Sequence, residues 1–116
     1  MKRTVQNLFA DLASPNEGED FAELLRCRNL RIERIVSSAA PGSCAYDQPQ
    51  DEWVILLEGH ATVDIADETV HLGPGDHVFI PAHTPHRVRS TDPRPRCIWL
   101  AVHLFPSDGD GGAMQD

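Results

Sequence analysis

Much that would declare a function outright is missing from these 116 residues. No apolar run approaches the roughly 20 residues that a membrane-spanning helix needs. Lys2 and Arg3 open the chain with no apolar segment behind them, so no secretory signal is expected. Cysteine is scarce, and Cys27, Cys44 and Cys97 are widely spaced and never form a Cys-x-x-Cys pair. That speaks against a disulfide framework or a zinc knuckle and for reduced thiols in a cytoplasmic protein. Positive charge is short too: 10 Lys and Arg stand against 18 Asp and Glu, a net charge of −8. Nucleic acid is not an expected partner, because phosphate binding rests on basic surface. There is no Gly-x-Ser-x-Gly or Ser-x-x-Lys element. Gly73-Pro74-Gly75 cannot cradle a phosphate, because proline removes an amide donor.

What is present is the size and rhythm of one small β domain. Residues 1–13 carry scattered apolar positions (Val5, Leu8, Phe9, Leu12) with no clean period. Ser14-Pro15-Asn16-Glu17 has the form of a capping box, and Phe21, Leu24 and Leu25 follow at i, i+3 and i+4. This spacing predicts a short amphipathic helix over 15–27, with Gly18 counting against it. From residue 28 the pattern turns to β. Leu30 and Ile32 alternate with Arg31 and Glu33, and the parity breaks at Ile35-Val36 as at a bulge or strand end. Short apolar stretches then recur between Gly and Pro turns up to a final strand from Cys97 to Phe105. Such spacing describes an all-β antiparallel sandwich or barrel. The expected division is an arm and helix over 1–27, a β unit over 28–106, and a disordered Gly/Asp-rich tail over 107–116.

Two motifs stand out. Gly75, five residues, Pro81-Ala82-His83, two residues and His86 form one; Glu52, six residues and Gly59 form the other, 15 residues upstream. The chain resembles the cupin superfamily in these motifs, over residues 30–105. The resemblance implies a small antiparallel β-barrel, a double-stranded β-helix of jelly-roll type, that dimerises with a second copy. The family's first motif normally begins His-x-His; Tyr46 and Gln48 occupy those two positions here, and His83 stands where the second motif has glycine.

The family pattern implies metal ligation by Glu52 and His86, for one divalent ion such as zinc, iron, manganese or nickel. His83, in the loop before His86, and His103, on the last strand, are further candidate ligands outside that pattern. Strand parity bears on this independently. Glu52, Val54 and Leu56 share a face, and so do His86 and Val88, which turns Arg87 and Arg89 outward. On the last strand Trp99, Ala101 and His103 share one face and Ile98, Leu100, Val102 and Leu104 the other. The second set is the more uniformly apolar and would ordinarily face the core, leaving His103 outside. Around a ligand pocket that assignment inverts. Exchanging two imidazoles for a phenol and an amide weakens a metal site. Two readings follow. One is an isomerase, lyase or dioxygenase acting on a small oxygenated metabolite, with Tyr46 and His83 catalytic. The other is a metal-free binding or sensor module in which Tyr46, Gln48 and Glu52 contact the ligand.

Overall fold

The computed structural model describes residues 2–42, 44–94 and 96–106, so the expected disordered tail lies outside the described residues. Eight strands follow in order: β1 (Glu19–Cys27), β2 (Leu30–Ser37), β3 (Asp51–Glu58), β4 (His60–Ile65), β5 (Glu68–Leu72), β6 (His77–Ile80), β7 (His86–Asp92) and β8 (Cys97–Leu104). They form a five-stranded sheet, β1-β2-β8-β3-β6, and a three-stranded sheet, β5-β4-β7, with antiparallel pairing throughout. The all-β expectation therefore holds, but the two sheets do not close into a barrel. Among the described residues no ladder of strand pairs joins them. An isolated bridge between Tyr46 and His86 ties the segment before β3 to the start of β7.

The helix expected over 15–27 is absent, and β1 occupies most of that span. A register shift between Glu23 and Leu25 places a bulge in the strand, which breaks the two-residue period and leaves a spacing that mimics a helical one. The interruption expected at Ile35-Val36 is likewise absent, since β2 pairs with β8 without a shift from Leu30 to Ser37. Both residues are buried because both faces of the strand are covered. Ile35 joins the core between the sheets. The N-terminal arm lies over the other face, where Arg34 Nη1 donates to the carbonyls of Leu8 and Ala10 at 2.8 and 3.0 Å.

The core is built by alternation. Val54 and Leu56 of β3, Ala61 and Val63 of β4, and Trp99 and Ala101 of β8 point between the sheets. Leu56 is fully buried, a burial that stabilises by about 1.5–3 kcal/mol. Tight corners carry the chain from sheet to sheet. Gly59, at φ +87°, is the only residue between β3 and β4, and the chain passes there so close to β8 that a Cβ would collide with the Arg96 carbonyl oxygen. The Gly73–Asp76 turn is pinned onto β3 by Gly75 N–H to the Leu56 carbonyl (2.7 Å) and Leu56 N–H to the Asp76 carbonyl (3.0 Å). The Pro81–Pro85 segment then returns the chain to the smaller sheet, starting β7 at His86.

Candidate functional site

The cleft between the sheets has about 70 Å³ of room for solvent-sized molecules. By that measure one water needs about 10–15 Å³, so the space suits a few waters or the head of a small ligand. Its apolar wall includes Ile35, Val54, Val63, Val88 and Trp99. Its polar groups fall into two sets.

The first set is Glu52, His86, Tyr46 and Gln48. Glu52 lies on the inward face of β3 with Val54 and Leu56, as parity requires. It faces His86 at the start of β7, with Oε1 and Nε2 3.5 Å apart and the side chains only 10% and 11% exposed. His86 Nδ1 donates to the Thr84 carbonyl at 2.9 Å, which fixes the tautomer and directs Nε2 at Glu52. The pKa of His86 is raised: burial pulls it down, but the Glu52 hydrogen bond, the Thr84 carbonyl and the charges of Glu52 and Asp47 outweigh that pull. Tyr46 stacks on the His86 ring at 5.8 Å and exchanges two backbone hydrogen bonds with it, of 2.7 and 2.9 Å. Burial, then the negative charge of Glu19, lifts the Tyr46 phenol above its ordinary value and keeps it an O–H donor. Gln48 is placed by its carbonyl, which accepts from His83 N–H at 2.7 Å. Its side-chain Oε1 is buried with no hydrogen-bond partner among the described residues.

The second set comes from the larger sheet. His103 is 2% exposed; its Nε2 donates to Glu33 Oε1 at 2.8 Å and its Nδ1 accepts from Gln50 Nε2 at 3.2 Å. The inner face of β8 is thus the Trp99, Ala101 and His103 face, the reverse of the ordinary assignment. The outer face is apolar as well, and its Ile98 is fully buried, so hydrophobicity alone does not tell the two apart. Glu19 of β1 completes the set, with its Oε2 accepting from Ser37 Oγ at 2.5 Å while Ser37 Oγ accepts from Trp99 Nε1 at 3.0 Å. Burial raises the Glu19 pKa against the Ser37 hydrogen bond, and the charges of Glu52 and Glu33 push it the same way. Parity reasoning missed Glu19 and Glu33. Glu33 sits two residues before the buried Ile35, and that spacing was the available signal.

The four metal-ligand candidates do not assemble. His83 sits on the loop before β7 at φ +60°, its ring 73% exposed and 3.5 Å from Asp47, and it does not line the cleft. Both ring nitrogens of His103 are occupied by Glu33 and Gln50. Glu52 and His86 remain as one carboxylate and one imidazole, beside the weaker phenol and amide of Tyr46 and Gln48. Among the described residues no three His, Cys, Asp or Glu side chains converge as a metal cage. This donor set does not fit a tightly held transition ion, which normally takes three or more strong protein ligands.

Outside the cleft, Arg87 and Arg89 each donate to Asp64 Oδ2, at 3.1 and 2.9 Å, and lie on the surface. Cys27 and Cys44 are exposed and Cys97 is buried, all as free thiols; burial pushes Cys97 up to about 12. Among the described residues no helix is long and apolar enough to cross a membrane.

Comparison with known proteins places these features. A family model described as "Cupin domain" matches residues 38–103. A candidate mannose-6-phosphate isomerase of Ralstonia eutropha JMP134 is 40% identical, with 89% of this chain and 99% of that one aligned at a TM-score of 0.76. A cupin superfamily protein of Desulfitobacterium hafniense DCB-2 shares the fold at 19% identity over 90% of this chain and 94% of that one, TM-score 0.73. The iron(II) form of HppE does so at 16% identity over 75% of this chain and 50% of that one, TM-score 0.65. No curated protein matches the chain.

Proposed function

We propose that this chain, which belongs to the cupin family, binds a small oxygenated metabolite in the cleft between its sheets and moves a proton on it, as an isomerase or lyase does. The observation behind this reading is the Glu52–His86 pair, two facing groups nine-tenths buried on the cleft wall. In this proposal the Glu52 carboxylate takes the proton from the carbon beside a carbonyl. The His86 imidazolium, held charged by that same carboxylate, gives one to the carbonyl oxygen. The C–H bond breaks and an O–H bond forms, giving an enediol. Glu52 then returns its proton to the former carbonyl carbon while the hydroxyl on the adjacent carbon gives its proton back to His86, which moves the carbonyl by one carbon and completes an isomerisation. Tyr46 donates its phenol hydrogen to a second substrate oxygen. The likeness to iron(II) HppE is one of fold alone, and no step here runs through a metal.

Incubating the full-length protein with small hydroxycarbonyl compounds in D2O tests the reading. Deuterium is expected to enter beside the carbonyl, and Glu52→Gln and His86→Gln are each expected to slow this by roughly 10²-fold or more. Equal exchange in both variants overturns the acid–base assignment. Elemental analysis of the untagged protein belongs beside it: a stoichiometric metal lost on changing Glu52 and His86 would restore the metal-centred reading.

A second reading, a non-catalytic binding or sensor module, is favoured by Gln48 Oε1, a buried acceptor with no hydrogen-bond partner among the described residues. Saturable binding without exchange selects it.

A further inference from the structure

The lining of the cleft is one-sided in charge. Glu19, Glu33 and Glu52 all line it, from three different strands, and among the described residues no lysine or arginine does. The basic residues nearby are turned elsewhere. Arg34 donates to the carbonyls of the N-terminal arm, and Arg87 and Arg89 are held by Asp64 on the outside of the smaller sheet. Arg31 comes closest; its guanidinium lies over the Phe105 ring and reaches Glu33 Oε1 at 3.9 Å without lining the cleft. Gln48 adds a buried oxygen with no partner among the described residues. Glu52, 8% exposed, meets His86 only at 3.5 Å, a distance longer than a good hydrogen bond. The cleft thus offers acceptors in excess of donors in a setting where charges are weakly screened.

We propose that the cleft selects a ligand head rich in hydrogen-bond donors and free of negative charge, and turns phosphorylated or carboxylated ligands away. This rests on the cleft being the binding site, as proposed above. It sets this chain apart from what the name of the Ralstonia relative suggests: a sugar phosphate would bring an anion towards three carboxylates, and the cationic group of the lining, the His86 imidazolium, already faces Glu52. The donors that fit are the hydroxyls of an uncharged polyol or the ammonium of an amino alcohol, each able to satisfy Gln48 Oε1 and the glutamates together.

Three matched fragments small enough for the cavity decide the matter: glycerol, 2-amino-1,3-propanediol (protonated at neutral pH) and glycerol 2-phosphate. Each is titrated into the full-length protein while the Trp99 indole and the His86 and His103 ring signals are followed by NMR. The first two are expected to move these signals, with glycerol 2-phosphate at least about ten-fold weaker. Tighter binding of the amine than of glycerol identifies an ammonium as the natural head; equal binding identifies a polyol. Glu19→Gln and Glu33→Gln should each narrow the gap to the phosphate. If a variant does not fold, the wild-type comparison still decides. Phosphate binding as tight as glycerol in the wild-type cleft overturns the proposal and leaves the cleft as the site. Cleft signals unmoved by all three fragments overturn the binding site itself.

Discussion

Glu52 Oε1 and His86 Nε2 come within 3.5 Å of each other although their strands lie in different sheets. The contact spans the cleft, so it depends on the sandwich being assembled and on both strands keeping their parity. It also sets the protonation of His86, which leads to the first prediction.

The folded-state pKa of His86 lies above its ordinary 6.5, and that of Glu19 above 4.5. A raised value means that the folded protein holds the proton more tightly than the unfolded chain does. The stability each group contributes is then full below its unfolded pKa and is lost as pH rises through the folded one. Urea unfolding is expected to show stability falling as pH rises above the ordinary histidine value of 6.5 and His86 deprotonates. In Glu52→Gln burial acts with much less opposition, so the His86 titration followed by NMR should move down and the slope flatten. A His86 titration unmoved by that change would contradict the pairing.

Ser37 Oγ joins Trp99 Nε1 to Glu19 Oε2. Ser37→Ala leaves a buried indole N–H and a mostly buried carboxyl without their shared partner. The expected loss is about 1–3 kcal/mol in denaturant unfolding. Loss of less than a few tenths would show that water replaces the hydroxyl.

His83 sits at φ +60° in the position where the family's motif has glycine. A left-handed conformation costs an L-residue about 1–2 kcal/mol, offset in part by the greater unfolded-state freedom of glycine. His83→Gly is therefore expected to raise stability by up to about 1 kcal/mol. Thermal unfolding measures it, and ligand signals in the cleft should not change because the His83 ring is outside it.

Gly59 and Gly75 both have positive φ, +87° and +91°, but only Gly59 is crowded. A Cβ on Gly59 would run into the Arg96 carbonyl and lie 2.9 Å from Cys97 Cα, whereas one on Gly75 meets nothing within 4 Å. Gly75→Ala should cost about 1 kcal/mol from its backbone conformation alone. Gly59→Ala should cost at least twice as much, since β8 must shift to make room. Equal denaturant midpoints for the two would overturn this account of the β3–β4 corner.

Local pattern made much of the fold legible. Turn residues at Gly59, Gly73–Asp76 and Pro81 marked where the chain changes sheet, and the two-residue period put Glu52 and His86 inside. It misled where a bulge interrupted the period. Phe21, Leu24 and Leu25 have helical spacing because the strand they belong to slips register between Glu23 and Leu25. It was silent where both faces of a strand are buried. Nothing local to Ile98–His103 distinguishes the outer face from the face in the cleft.

Sequence by itself determined the family, the β architecture and the inward parity of Glu52 and His86, because these follow from motif spacing and from a period that each strand carries alone. Tertiary structure decided which groups meet. It bound both nitrogens of His103 to Glu33 and Gln50, left His83 at the surface against Asp47, and brought Glu19 and Glu33 into the same cleft as Glu52. The physical reason is that partners at a site are set by strand order and sheet-to-sheet packing. Glu33 and His103 are 70 residues apart in the chain and neighbours only because β2 pairs with β8.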